Sequence, residues 1–391
     1  MPQSSTQYRS RFKSYNRKST FKRRPSTIDA SKYVRKARPL LEVNEYTPQH
    51  TFADFSVDEV IARNLQANGY SKPTPIQDQT IAPALAGQDI IGIANTGTGK
   101  TAAFGIPVLN SLIHDKNSSA LIIAPTRELA QQINEAFRSI AKGSGLAAVL
   151  LIGGTSMGPQ LSGLRGRPQV VIGTPGRILD HLDRGSLSLE TCKYIVLDEV
   201  DRMLDMGFVA DVESILQEIP AGRQSYFFSA TMDNRVRGLI EGFAKDPLVV
   251  SLKTSDGSEN VDQDIVKYSS PIDKLDKLHN LLLDQNIKAI IFDETQRNVE
   301  RLNQELTARG FSTDAIHGGK TQGQRERALD KFRKNHVNIL VATDVAARGI
   351  DIVDITHVIN YTQPQSYADY VHRIGRAGRA GRTGQALTFV Q

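Results

Sequence analysis

Short apolar runs recur along most of this chain, at residues 90–93, 121–123, 170–172, 194–197 and 226–228. Each is followed at once by polar or glycine-rich residues, and longer helix-like segments separate one run from the next. A run that is apolar throughout, rather than at every second position, suits a strand covered on both faces. The pattern therefore predicts a mainly parallel sheet with helices on both faces, and places ligands beyond the carboxyl ends of the strands. Residues 251–262 break the rhythm with Ser, Thr, Asp, Gly and Asn and read as a linker. A second αβ series follows, with strands expected at 289–292, 314–316, 339–341, 357–359 and 386–390. Two α/β domains are thus predicted, over residues 51–250 and 263–391, joined by the linker 251–262.

Residues 1–50 lack this pattern and read as a disordered basic tail. The charge is lopsided. Residues 1–40 hold 12 Lys or Arg against the single acid Asp29, a balance of +11, which leaves −5 for the rest of a chain whose net charge is +6. Tyr8, Phe12, Tyr15, Phe21 and Tyr33 lie among those charges. Basic groups neutralise phosphates and aromatic rings stack on bases, so the tail suits single-stranded nucleic acid. A solvated tail, or a signal read by transport machinery, has the same composition. No apolar stretch approaches the ~20 residues of a membrane helix. Cys192 is the only cysteine, which excludes an internal disulfide and suits a reducing, cytoplasmic interior.

Chemistry enters with Ala94-Asn95-Thr96-Gly97-Thr98-Gly99-Lys100-Thr101, placed between a strand and a helix. In that setting Gly97 and Gly99 let the backbone curl, so that N–H groups face phosphate oxygens. Lys100 can reach the β- and γ-phosphates, and the Thr101 hydroxyl can bind Mg²⁺. Asp198-Glu199-Val200-Asp201 ends the run at 194–197. There Asp198 can hold the metal shell while Glu199 orients or deprotonates the attacking water; a solvated acidic turn is the bland alternative. No Cys/His cluster has zinc spacing.

With Pro73-Thr74-Pro75-Ile76-Gln77, Pro125-Thr126-Arg127-Glu128-Leu129-Ala130, Thr174-Pro175-Gly176-Arg177, Ser229-Ala230-Thr231 and His372-Arg373-Ile374-Gly375-Arg376-Ala377-Gly378-Arg379 in order, the chain resembles the DEAD-box RNA helicases over roughly residues 52–391. The resemblance implies two RecA-like domains that bind ATP, Mg²⁺ and RNA across their cleft. It implies that Gln77 reads the adenine edge, with Phe52 and Tyr70 packing around the base; for Phe52 a plain core role stays open. Thr96, Gly97, Thr98, Gly99, Lys100 and Thr101 would hold the phosphates, and Asp351 the ribose. Arg376 and Arg379 would act as fingers on the γ-phosphate, a role suited to a fixed guanidinium fork. Asp201, Ser229, Thr231 and His372 would couple hydrolysis to strand separation. RNA backbone contacts carry over to Arg127, Gly154, Thr174 and Arg177 in the first domain, and to Gly318, Gln322, Arg325 and Thr343 in the second.

Four features depart from the family pattern. Val200 replaces alanine and Ala377 replaces threonine. Residues 291–295 are unusually acidic, and Thr362 stands where an acid usually follows Tyr361. The implied activity is that of an ATP-dependent RNA helicase. An ATP-gated RNA clamp or annealer would have the same sequence, and a DNA-directed motor of the same superfamily is disfavoured by the element at Pro73–Gln77.

Overall fold

The computed structural model describes residues 28–37, 46–95, 97–252, 260–284, 286–347, 352, 354–378 and 382–391. Thr96, Asp351 and Arg379, together with Tyr8, Phe12, Tyr15 and Phe21, lie outside the described residues.

Two sheets form. The first holds β1 (Ile90–Ile93), β2 (Ser119–Ile123), β3 (Ala148–Leu151), β4 (Val170–Gly173), β5 (Cys192–Asp198), β6 (Gln224–Ser229) and β7 (Leu248–Ser251), in the order β3-β4-β2-β5-β6-β1-β7. The second holds β8 (Val261–Lys267), β9 (Ala289–Phe292), β10 (Thr313–Ile316), β11 (Ile339–Ala342), β12 (His357–Asn360) and β13 (Gly384–Val390), in the order β10-β11-β9-β12-β13-β8. Every pairing within the two sheets is parallel.

The continuous apolar runs have the two-faced burial expected of them. Along β1 and β2, Ile90, Ala120 and Ile122 enter one core cluster, while Ile91, Leu121 and Ile123 enter another on the opposite face. β9 and β11 divide in the same way, with Ile290, Phe292, Leu340 and Ala342 on one side and Ala289, Ile291, Ile339 and Val341 on the other. The period of two along each strand thus builds two cores per sheet, which is the RecA-like arrangement.

Strands β3, β7 and β8 are additions to the runs read from sequence. β3 alternates buried and half-buried positions, and β7 and β8 are edge strands with mixed polar residues. Only β8, Val-Asp-Gln-Asp-Ile-Val-Lys, lacks an apolar run; β3 lies within the apolar stretch 146–152 and β7 carries Leu248, Val249 and Val250, so both are legible in the sequence and were missed. β8 begins at Val261, inside the stretch expected to be linker, because Val261 is wholly buried in the second domain's core.

Part of the expected tail is also structured. Ala30–Tyr33 forms a 3₁₀ turn capped by Asp29, and Arg35 makes an antiparallel bridge to Gln263 on β8. Tyr33 is 0% exposed, so it is core and cannot stack on a base. The basic composition around it hid one well-placed aromatic anchor.

Candidate nucleotide and nucleic-acid site

β5, β6 and β1 are neighbours in the first sheet, so the segments beyond their carboxyl ends meet. These carry Asp198–Asp201, Ser229–Thr231 and residues 94–101. Ala94 N donates to Ser229 O at 2.9 Å and ties the loop to β6. Gly97 and Gly99 have φ of +82° and +91°, and a Cβ on Gly99 would lie 2.4 Å from Gln77 Nε2, so the turn requires glycine there. Lys100 opens the helix Lys100–His114, whose first N–H groups face the loop, a ready site for an anion. The Lys100 ammonium is buried, donates to Ala94 O at 3.0 Å and lies 3.9 Å from Asp198 Oδ1.

The acids are as deeply placed. Asp198 is 2% exposed. Burial pushes its carboxyl up to about 6, with Lys100 opposing and Glu199 adding to the effect. Glu199 has a φ of +56° at the junction of β5 with the helix Val200–Asp205. Holding a residue other than glycine there costs about 1–3 kcal/mol and fixes its direction. Burial works against the Glu199 charge too, but Arg202, Lys100 and Arg376 outweigh it, and its carboxyl lies below the usual range. Arg202 touches the Glu199 carboxylate directly. Arg376 belongs to the second domain, so the field at Glu199 is assembled from both.

Asp201 gathers Ser229, Ala230 and Thr231. Its Oδ2 accepts from Thr231 N at 3.0 Å, Thr231 Oγ1 at 3.1 Å and Ala230 N at 3.2 Å, while its own N–H donates to Ser229 Oγ at 3.3 Å. His372 lies on the helix Tyr367–Ile374 and lines a small pocket with Asp344, Arg373 and Arg376.

Phe52 and Tyr70 meet edge to face at 5.6 Å, both half-buried against the first core. Gln77 completes a capping box with Thr74, accepting from Thr74 N at 2.9 Å, and its Nε2 donates to Gly99 O at 3.0 Å. Its amide therefore couples this face to the phosphate loop.

Arg127, Thr174 and Arg177 from the first domain and Gly318 and Arg325 from the second line one cavity of about 410 Å³. Gly154, with φ +74°, lies so close to Arg127 that a Cβ would be 2.1 Å from the guanidinium. Gln322 and Thr343 lie outside this lining. Gln322 Nε2 donates to Gln131 Oε1 across the domains at 3.1 Å, and the Thr343 carbonyl starts the short helix Asp344–Ala347.

Several contacts are not legible in the sequence. Arg325 Nη2 lies 2.7 Å from Glu128 Oε1, both buried, and burial raises the Glu128 carboxyl against the pull of Arg325. Gln131 donates to Glu326 beside that pair. Nothing local marks such contacts, because nearly two hundred residues separate the partners. Arg202, three positions after Glu199 at a helix start, did carry a local signal. Arg373 makes a two-pronged pair with Asp344, at 2.6 Å on both sides, and donates to Thr362 O at 2.7 Å. Asp78, beside Gln77, accepts from Gln49 N at 2.9 Å and His50 N at 3.0 Å.

Two departures from the family pattern meet in space. Thr362 Oγ1 donates to Asp293 Oδ1 at 2.6 Å, so Asp293 supplies an acid beside the position where Thr362 lacks one. Its carboxylate is 3% exposed and turned inward. Val200 and Ala377 are both buried in apolar clusters.

Residues 74–239 match the DEAD/DEAH box helicase family and residues 273–381 the helicase conserved C-terminal domain. The ATP-dependent RNA helicase CshA of Listeria monocytogenes is 45% identical over 343 residues, covering 87% of this chain and 66% of that protein. The DEAD-box ATP-dependent RNA helicase CshA of Bacillus licheniformis is 44% identical over 342 residues, covering 87% and 70%. The chain thus spans about two thirds of the length of these relatives. Among solved structures, S. cerevisiae Dbp5 bound to RNA and ADP BeF3 aligns with a TM-score of 0.78 at 30% identity, covering 87% of this chain and 89% of that one. Mss116p bound to ssRNA and AMP-PNP aligns at 0.79 and 32%, covering 87% and 73%. Prp28 from Chaetomium thermophilum bound to ADP aligns at only 0.50 despite 38% identity, covering 88% and 84%. By these matches and by the ordered elements of its two sheets, the chain belongs to the DEAD-box family of ATP-dependent RNA helicases.

Proposed function

We propose that this chain is an RNA-dependent ATPase and RNA helicase, in which ATP and RNA bind between two domains, close them, and are released after hydrolysis to ADP and phosphate. The observation that carries the reading is the assembly at Glu199. A buried carboxylate in a strained backbone position feels Lys100 from its own domain and Arg376 from the other. In this reading Glu199 takes the proton of the attacking water. Lys100 and Arg376 stabilise charge on the transferring phosphoryl group, joined by Arg379, and Thr101 and Asp198 hold Mg²⁺. Magnesium uses only one or two protein carboxylates and otherwise water and phosphate, which fits a site with so few ligands. Residues 96–99 cradle the phosphates, Gln77, Phe52 and Tyr70 the base, and Asp351 the ribose. The cavity lined by Arg127, Thr174, Arg177, Gly318 and Arg325, extended by Gly154, Gln322 and Thr343, follows the sugar-phosphate backbone and reads no sequence.

The higher TM-scores with the two RNA-bound helicases than with ADP-bound Prp28, at lower identity, support a domain arrangement like that of the RNA-bound proteins. A cytoplasmic location is proposed from the buried, unpaired Cys192. The full chain is expected to hydrolyse ATP only with RNA present. In Glu199→Gln, turnover is expected to fall about 10²–10⁴-fold, with ATP-dependent RNA binding retained. Absence of RNA-stimulated ATPase activity in the folded chain would refute the enzyme reading. Undiminished multiple-turnover unwinding by Glu199→Gln would remove Glu199 from its role.

A further inference from the structure

Residues 28–37 cover the open edge of the second sheet. β8 ends that sheet, with β13 on one side only. On the other side, Arg35 N donates to Gln263 O at 3.0 Å and Gln263 N to Arg35 O at 2.8 Å. Ala37 N adds a bond to Asp262 Oδ1 at 2.9 Å. This is a single antiparallel bridge, made by the chain's own segment on an otherwise open edge. The turn capped by Asp29 then sends Tyr33 inward, where its ring lies 4.8 Å from that of Tyr370 and shares a cluster with Val261, Ile374 and Ala377.

Tyr370 and Ile374 lie on the helix that delivers His372 and Arg373, and Arg376 follows in the turn after it. Tyr370 is held from a second direction, its hydroxyl donating to Gln263 Oε1 at 3.0 Å. Gln263 is therefore a shared fixture of the docked segment and the helix. The turn after the helix is pressed on the same strand, since a Cβ on Gly378 would lie 2.9 Å from Val261 Cγ2. These supports hold the end of the helix from which Arg376 follows, with the Tyr33 ring packed against it.

We propose that Tyr33, brought in by residues 28–37, is a positioning residue for Arg376, wedged behind the helix Tyr367–Ile374 so that the guanidinium reaches the first domain's acids. The inference rests on the ATPase reading above. A finger that acts on transition-state charge loses rate when displaced, while ground-state ATP binding through the first domain is little affected. The ring is what supports the helix, because the Tyr33 hydroxyl has no hydrogen-bond partner among the described residues.

The test uses the full chain with saturating RNA. Tyr33→Ala is expected to lower kcat about tenfold, with the KM for ATP changed by less than about threefold. Tyr33→Phe should restore kcat to within about twofold, since it keeps the ring. In an Arg376→Ala background, adding Tyr33→Ala should lower kcat by less than about twofold further, because coupled residues are not additive. Amide exchange across residues 367–374 should quicken in Tyr33→Ala and stay at the wild-type rate in Tyr33→Phe. Where Tyr33→Ala does not fold, Tyr33→Leu, which keeps apolar bulk without the ring contact, takes its place in each comparison. An unchanged kcat in Tyr33→Ala, or a full tenfold loss that persists without Arg376, overturns the proposal. If the intact chain shows no RNA-stimulated ATPase activity, the functional reading fails, and unchanged exchange in 367–374 then overturns the positioning role separately.

Discussion

Asp198→Asn is expected to make the protein more stable and catalytically inert. The Asp198 carboxyl sits at about 6 in the folded chain against an ordinary 3.8, mainly through burial. Between those values the native state holds a proton that the unfolded chain has released. Stability therefore falls as pH rises through this window, and above it the ionised carboxylate is a standing cost. A shift of about two units at about 1.36 kcal/mol each amounts to roughly 3 kcal/mol at neutral pH. The attraction of Lys100, 3.9 Å away, is already contained in the shift. Asparagine imitates the protonated acid and removes the cost. In a domain of about 200 residues each kcal/mol moves the transition by about 2–4 °C, so the first domain should melt about 6–12 °C higher. Calorimetry at pH 8 with chelator and no nucleotide measures this, and a parallel series near pH 3.5 should bring the two proteins together. A variant that melts at or below the wild type at pH 8, or a gap that persists at pH 3.5, refutes the argument. Stability gained with ATP turnover lost would mark Asp198 as a group kept for function against the fold.

Further outcomes follow from the nucleic-acid side. Glu128 is raised above its ordinary 4.5 by burial while paired with Arg325, so protonating it frees Arg325 for phosphate. Wild-type RNA affinity should strengthen as pH falls from 7 towards 5, and Glu128→Gln should bind up to about tenfold more tightly at pH 7 with that slope gone, about 1.4 kcal/mol; fluorescence anisotropy across pH checks both. Gly154→Ala combines a left-handed φ with a Cβ 2.1 Å from Arg127, and should raise the RNA concentration for half-maximal ATPase activity about tenfold; an unchanged value would separate Arg127 from RNA. Residues 1–27 hold eight Lys or Arg and no acid, so their deletion should lower the salt slope of RNA binding by up to about 5. An unchanged slope across a salt series would dismiss the tail as an RNA contact.

Much of this architecture is visible in the sequence because it is local. The runs at 90–93 and 289–292 match β1 and β9 end for end, since a strand covered on both faces has no polar position to blur it. The phosphate loop, the acids after β5 and the hydroxyls after β6 are each a short string fixed by one strand end. What stayed hidden is of two kinds. β8 alternates polar and apolar residues on a sheet edge and so looks like a loop, whereas the apolar runs of β3 and β7 were there to be read. Arg325 with Glu128, and Tyr33 with Tyr370, are partners brought together only by the folded chain. Tyr33 misled for a particular reason. Lysine and arginine around it have long apolar stems and tolerate exposure beside a buried neighbour, so local charge says little about a single ring among them.

Two charge pairings across the domains share one polarity. At the nucleotide end, Glu199 of the first domain feels Arg376 of the second; at the nucleic-acid end, Glu128 of the first meets Arg325 of the second. Each arginine is of the type that binds phosphate, and each faces a carboxylate of the other domain. Such pairs are worth little when the cleft is open to water and more once it is dry. An arriving phosphate competes with the carboxylate for the same guanidinium, and it does so at both ends by the same rule. On the proposed function, nucleotide and RNA would favour the same closed arrangement without touching one another, each by setting a phosphate held on the first domain against an arginine of the second. Coupling of this kind needs no chain of contacts between the two sites, only one rigid second domain carrying both arginines.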